Sequence, residues 1–251
     1  MILEYNRPNT IDEALALLAR TKPRTLPLAG GTALNRPSPD AIAVVDLQAL
    51  GLDGVGRKGN LLILGAMLTL QTILELEGLP AALLAAVQHE ATHNLRNVAT
   101  LAGTLVAADG RSPFATSLLA MDAQLKYLPG EETISLGNLL PVRGELLAGK
   151  IITQAVLPTN IRLAYEYVAR TPADLSLVCV ALAQWPSGRT RLALGGYGAS
   201  PVLALDGPEA GGAEMAASNA YALAQDEWAS AAYRSEVAAV LTRRCLDQLS
   251  S

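Results

Sequence analysis

Two short segments carry the most legible chemistry in this sequence: Leu28-Ala29-Gly30-Gly31-Thr32-Ala33-Leu34 and Thr100-Leu101-Ala102-Gly103-Thr104. Each sets small residues between apolar runs. A backbone free of side-chain bulk can turn its N–H groups outward there and approach a ligand closely. Two such glycine turns in one small domain, without a Rossmann or Walker pattern, suggest an anion such as a pyrophosphate held between two lobes.

Two further motifs invite chemistry and lack its context. Gly54-Val55-Gly56-Arg57-Lys58-Gly59 matches G-x-G-x-x-G, which binds dinucleotides only where a strand precedes it and a helix follows. Asn60-Leu61-Leu62-Ile63-Leu64 follows here and reads as a strand, so a hairpin turn is expected. His89-Glu90-Ala91-Thr92-His93 matches H-E-x-x-H, which on a helix aims two imidazoles at one zinc. These are the only two histidines, and none of Asp109, Asp122, Glu131 and Glu132 sits in a downstream helical ligand motif. A solvated helix end is the plainer reading, with a zinc hydrolase as a weaker alternative.

The 251 residues are 51% hydrophobic, enough for one large domain or two small ones with real cores. Only 17% are charged, the net charge is −4, and there is a single Phe. With no basic run and few aromatics, nucleic acid and anionic membrane surfaces are poor partners. Cys179 and Cys245 cannot ligate an iron–sulfur cluster alone and are expected as buried thiols. The first residues lack a signal-peptide pattern, and no apolar run reaches membrane-spanning length, so a cytoplasmic protein is expected.

The elements that must position these residues follow from pattern. Thr10-Ile11-Asp12-Glu13 is a capping box opening a helix that stops near Lys22-Pro23. Short strands are predicted at 26–28, 42–47 and 61–64, and helices at 69–76 and from Pro80 to about 90. Ser112-Pro113 opens another helix; a hairpin turns at Pro129-Gly130, and a strand runs over 150–157. Three consecutive strands are expected at 162–169, 175–185 and 190–196, then a loop at 207–212 and helices at 214–224 and 227–249. A domain boundary is placed near Pro158, with α+β units on both sides.

In order along the chain, these residues resemble the FAD-binding medium subunit of molybdenum hydroxylases, the carbon monoxide dehydrogenase and xanthine dehydrogenase type. Ala29-Gly30-Gly31-Thr32 looks like that family's first flavin loop, and Leu95-Arg96-Asn97 with Thr100–Thr104 like its second. Ala108–Ser112 running into Leu118–Ala123 continues the match, as do Gly144–Leu147 and Tyr165-Glu166-Tyr167 leading to Arg170. Ser230–Arg234 and Arg243-Arg244 are similar to the C-terminal helix. The resemblance covers nearly the whole chain.

It implies an α+β fold: a PCMH-type FAD-binding domain at 1–158, with lobes at about 1–55 and 56–158. A C-terminal domain at 159–251, with a three-stranded antiparallel sheet and helices, would follow. It further implies an oxidoreductase subunit without catalytic residues or metal ligands of its own. Electrons would reach its FAD from 2Fe–2S centres on a small subunit, after leaving the substrate at a molybdopterin cofactor on a large subunit. A terminal acceptor such as NAD or a quinone would collect them.

By the same resemblance, the cofactor-binding positions are Leu28, Ala29, Gly30, Gly31, Thr32, Ala33, Leu34, Thr100, Gly103, Thr104, Asp109, Ser112, Leu146 and Tyr167. Amides of Gly30, Gly31, Thr32, Gly103 and Thr104 would meet the pyrophosphate. Hydroxyls of Thr32, Thr100, Thr104 and Ser112 would add contacts. The chain departs from the family at Ala33, Ala102 and Thr104. It also has Pro113, where an Asp commonly follows the Ser112 position, and Tyr167, where a Lys commonly approaches the flavin. Each lost charge-assisted hydrogen bond is worth about 1.5–3 kcal/mol. A flavin-free scaffold or assembly relative is therefore the second reading.

Overall fold

Ile-Ala-Val-Val-Asp at 42–46 is buried at every position, as a strand covered on both faces must be. The computed structural model describes residues 1–34 and 41–250. In chain order the first elements are β1 (Ile2–Asn6), α1 (Ile11–Leu18), β2 (Arg24–Leu28), β3 (Ile42–Asp46), β4 (Val55–Lys58), β5 (Leu61–Gly65), α2 (Leu70–Leu74), α3 (Ala81–Glu90), α4 (His93–Arg96), α5 (Leu101–Ala107) and α6 (Pro113–Ala120). Then come β6 (Gln124–Leu128), β7 (Glu132–Ser135), α7 (Leu136–Leu146), β8 (Ile151–Pro158), β9 (Arg162–Val168), β10 (Val178–Gln184), β11 (Thr190–Gly195), β12 (Val202–Gly207), α8 (Ala213–Ala220) and α9 (Ala231–Ser250).

Packing divides the chain into two units, each drawn from several stretches. The first gathers Met1–Ile73, His93–Ala107 and Gln124–Val156. It holds a parallel sheet in the order β1-β3-β2 and a five-stranded sheet in the order β4-β5-β8-β6-β7. Thr10 caps α1 as expected, its Oγ1 accepting the Glu13 N–H at 3.3 Å. Ala14 and Leu18 of α1 then pack with Val45, Leu47 and Ile151 in a buried cluster. The G-x-G-x-x-G segment is itself strand β4, turning at Gly59, whose φ of 57° is left-handed, into β5. No helix N-terminus follows it to meet a phosphate.

The second unit gathers Leu74–Thr92, Ala108–Ala123 and Leu157–Ser251. Its antiparallel sheet runs β12-β11-β10-β9, so it has a fourth strand beyond the three the resemblance implied. The addition is β12, an edge strand that joins β11 through a register shift at Leu192/Ala193 and leaves Val202 and Leu203 exposed. Six half-exposed residues without clean alternation give little strand signal in sequence. Helices cover both faces of this sheet. Val178, Val180 and Leu182 of β10 pack with Ala238, Leu241 and Cys245 of α9, while Cys179 points to Thr116 of α6. Gly195 lets α6 come close: a Cβ there would lie 2.4 Å from Thr116 Oγ1. Among the described residues, no helix is long and apolar enough to cross a membrane.

Candidate cofactor site

The first glycine turn leaves the carboxyl end of β2, beside Asp46 at the end of β3, where loops of a parallel sheet gather ligands. Asp46 is 3% exposed and accepts from Tyr5 Oη and from the Gln48 N–H at 2.9 Å. Leu28 O accepts the Leu47 N–H at 3.0 Å, fixing where the turn begins. Gly30 then lies directly on the backbone of Val98 and Ala99: a Cβ on it would sit 1.7 Å from Val98 O. Gly31 adopts φ 73°, a region that glycine enters without strain. Among the described residues, no hydrogen bond takes up the N–H groups of Gly30, Gly31 or Thr32. Three successive donors unpartnered among the described residues, on a turn with no side-chain bulk at its first two positions, fit a diphosphate.

The second segment lies against the first. A Cβ on Gly103 would be 3.8 Å from the Ala29 side chain and 2.8 Å from Thr100 Oγ1. It is a helix start, however, rather than the open turn expected from the sequence. Gly103 N–H donates to Thr100 Oγ1 at 3.2 Å and Thr104 N–H to Thr100 O at 2.8 Å. Leu101 and Ala102 donate to Leu68 O and Ala66 O, at 2.8 and 3.0 Å. First-turn amides of a helix need acceptors, and here all four have them. The Gly103 and Thr104 amides, expected to face a pyrophosphate, are therefore already engaged, and Thr100 Oγ1 is held as an acceptor. The Thr104 hydroxyl has no partner among the described residues. Leu146 ends α7, half-buried, and α7 is tied to α5 by Arg143 Nε donating to Val106 O at 3.1 Å.

Leu28–Leu34, Thr100, Gly103, Thr104 and Leu146 belong to the first unit; Asp109, Ser112 and Tyr167 belong to the second. Asp109 is exposed and accepts the Arg111 N–H at 2.8 Å. Ser112, expected to reach a cofactor, is 3% exposed and its hydroxyl hydrogen is already committed. Its Oγ caps α6 by accepting the Ala115 N–H at 3.1 Å and donates to Glu90 Oε2 at 2.8 Å. The same Oε2 accepts the Phe114 N–H at 3.0 Å. Glu90 thus caps α6 from another helix. Burial outweighs these two hydrogen bonds and raises its carboxyl to a pKa of about 7. Sequence reasoning missed this role, since nothing local ties residue 90 to residues 112 and 114.

The H-E-x-x-H segment is broken. Helix α3 ends at Glu90, Ala91 is extended at φ −155°, and His93 starts α4. His89 Nε2–H donates to Asp174 O at 3.1 Å, and Nδ1 accepts from Tyr165 Oη at 2.8 Å. Burial holds its pKa below the usual value, in keeping with that neutral tautomer. Its ring lies against Tyr167 at an interplanar angle of 35°, centroids 3.9 Å apart, and Tyr167 stays 40% exposed. With both nitrogens engaged, His89 is not available to a metal. Among the described residues, no three His, Cys, Asp or Glu side chains are grouped to hold one.

Residues 1–160 match the family described as the FAD binding domain in molybdopterin dehydrogenase. The chain is 32% identical over 248 residues to the uncharacterized protein YgfM of Escherichia coli (strain K12), covering 96% of this chain and 94% of that one. It is 28% identical over 193 residues to the nicotine 6-hydroxylase medium subunit of Paenarthrobacter nicotinovorans, covering 72% of this chain and 68% of that subunit. Reconstituted CO dehydrogenase from Oligotropha carboxidovorans has a chain of the same fold, with TM-score 0.81, 24% identity and coverage of 97% and 96%. Quinoline 2-oxidoreductase from Pseudomonas putida 86 has another, with TM-score 0.78, 22% identity and coverage of 98% and 95%.

Proposed function

The chain belongs to the FAD-binding-domain family of molybdopterin dehydrogenases, and on that premise we propose that it is the electron-transfer subunit of a molybdenum hydroxylase. Its relatives are subunits of oxidoreductases. The partners that fit this role are a small subunit with 2Fe–2S centres and a large subunit with molybdopterin. Bound FAD supplies two-electron redox chemistry between the iron–sulfur centres and a terminal acceptor. The family match ends at residue 160, beside the domain boundary proposed at Pro158.

The observation that carries the reading is the first turn. Gly30, Gly31 and Thr32 present three amides unpartnered among the described residues, and Gly30 and Gly103 let two backbones meet without bulk between them. The amides hold the diphosphate, and the Thr32, Thr100 and Thr104 hydroxyls are the side-chain donors that assist. Leu28, Ala29, Ala33, Leu34 and Leu146 complete the proposed positions in the first unit, with Asp109 and Tyr167 in the second. The test is reconstitution with FAD followed by quenching of flavin fluorescence. Saturable binding supports the reading; none at high micromolar FAD overturns it.

A second reading, a flavin-free scaffold relative, has an observation in its favour. Gly103 N–H, Thr104 N–H and the Ser112 hydroxyl hydrogen are all spent internally. A colourless protein that still binds its partner subunits would support that alternative.

A further inference from the structure

We propose that the end of the β9–β10 strand pair carries a ligand site of its own, a cavity that takes a carboxylate mounted on a flat apolar body, as in an aromatic carboxylate. All of its residues belong to the second unit, and the inference does not rest on the flavin-binding reading. The cavity holds about 610 Å³, within the usual range for small-molecule sites. The connection from β8 supplies Asn160 and Ile161, and β9 opens with Arg162. Gln184 ends β10, and the turn into β11 adds Trp185 and Pro186.

Arg162 is the charge of the site. Its Nη1 donates to Leu249 O in the last turn of α9. Its Nη2 donates at 2.6 Å to Oε1 of Gln184, the residue opposite it across the strands. Both acceptors are neutral. Among the described residues, no carboxylate pairs with Arg162, and no side chain lining the cavity is acidic. By contrast, Arg111, Arg170, Arg189, Arg191, Arg234 and Arg243 of the same unit each meet an Asp or Glu at 3.5 Å or less. Two of the five N–H groups of the Arg162 guanidinium are used, and the others can meet both oxygens of a carboxylate.

Trp185 supplies the flat wall, and it is held in place. Its N–H donates to Arg189 O and its carbonyl accepts the Gly188 N–H, both at 2.9 Å, which closes the β10–β11 turn. The Arg189 guanidinium lies over the indole, 4.9 Å from the ring centroid. Arg189 is itself fixed by Asp206 at 2.9 Å and Asp122 at 3.0 Å. The indole N–H and the Asn160 side chain have no hydrogen-bond partner among the described residues. Ile161 and Pro186 add apolar surface. A guanidinium fork, an indole already ordered and donors without acceptors select an anion with a planar apolar body. Inorganic phosphate would meet the fork and leave the apolar walls in water.

The probe is 2-naphthoate, titrated calorimetrically into the full chain, with 2-naphthamide and inorganic phosphate for comparison. Naphthoate should bind saturably and about tenfold more tightly than either, the low end for a charge-assisted pair because Arg162 is exposed. Arg162→Met should weaken naphthoate about tenfold and make it equal to naphthamide. Arg162→Lys keeps the charge without the fork and should recover only part of the loss. Trp185→Leu should bring naphthoate down toward phosphate. In nitrogen-edited proton spectra, naphthoate should shift the indole N–H of Trp185 and leave that of Trp228 in place. Should Arg162→Met fail to fold through loss of its bond to Leu249 O, the naphthoate and naphthamide affinities of the wild type decide alone. Equal affinities there, shifts confined to Trp228, or no saturable naphthoate binding at low millimolar concentration overturns the inference. FAD binding, titrated separately, is untouched by any of these outcomes.

Discussion

Gly30 and Val98 are in backbone-to-backbone contact: a Cβ at position 30 would come within 1.7 Å of the Val98 carbonyl oxygen and 2.6 Å of its carbon. Neither atom can move without shifting the main chain. Gly30→Ala should therefore cost at least about 1–3 kcal/mol of stability, the usual range for overpacking, and should displace the turn that carries the three open amides. Urea unfolding gives the first quantity and FAD titration the second. A variant that melts and binds like the wild type would contradict the contact.

Thr100 serves both structure and ligand binding. Its hydroxyl, 4% exposed, caps α5 by accepting the Gly103 N–H. Thr100→Val should lose about 1 kcal/mol through that cap, and Thr100→Ser should restore it. Corrected for the fraction folded, FAD affinity should fall in Thr100→Val and return in Thr100→Ser. Unchanged affinity in Thr100→Val would leave this hydroxyl with the cap alone.

Glu90 also sets a pH dependence of folding. Its carboxyl stands near 7 in the folded protein because it is buried, against an ordinary 4.5. The folded state then binds the proton more tightly than the unfolded one. Its stabilising contribution is complete below about pH 4.5 and is lost as pH rises through 7. The wild type should lose about 1–3 kcal/mol relative to Glu90→Gln between pH 5 and pH 8. Melting temperatures of the pair at four pH values test the sign; an opposite trend would mean the carboxyl is not desolvated.

Arg234 is fully buried in the second unit and makes every bond its fork allows. It donates to the carbonyls of Leu177, Ala224 and Ala229 and to both oxygens of Asp226, the last at 2.8 and 2.9 Å. Burial opposes ionisation of Asp226, but hydrogen bonds from Arg234 and from the Trp228 and Ala229 amides prevail and lower its pKa to about 2. Its contribution is present above the ordinary carboxylate range and fades as pH falls through 2. Arg234→Met should cost about 3–5 kcal/mol, because it removes the bidentate partner of a partly buried carboxylate, which keeps only Arg111 and two amides, and leaves three carbonyls unpaired. Asp226→Asn should cost less. Denaturant midpoints of the two variants give the order.

How much of this was legible in the sequence depended on whether a signal was local. The Thr10 cap, the strand at 42–46 and the hairpin at Pro129-Gly130 rest on neighbouring residues and formed where pattern placed them. So did the first glycine turn. The segment at 100–104 reads as a turn because Ala-Gly-Thr is a poor helix nucleus. It becomes helical because Ala66 and Leu68 bring carbonyls from a remote strand end, which periodicity cannot reveal. Ser112 followed the same rule. Its sequence forecasts a helix cap, which it is, but the partner that consumes its hydrogen comes from residue 90.

The interleaving of the two units bears on how the chain is made. Helices α3 and α6, which cover the sheet of the second unit, are both synthesised before any strand of that sheet. On the ribosome their apolar sides have no template to settle on until β9, β10 and β11 emerge, so a holding chaperone should find them in that interval. A fragment starting at residue 159 would lack the same cover and should precipitate, so cutting the gene at that point should give no soluble C-terminal half.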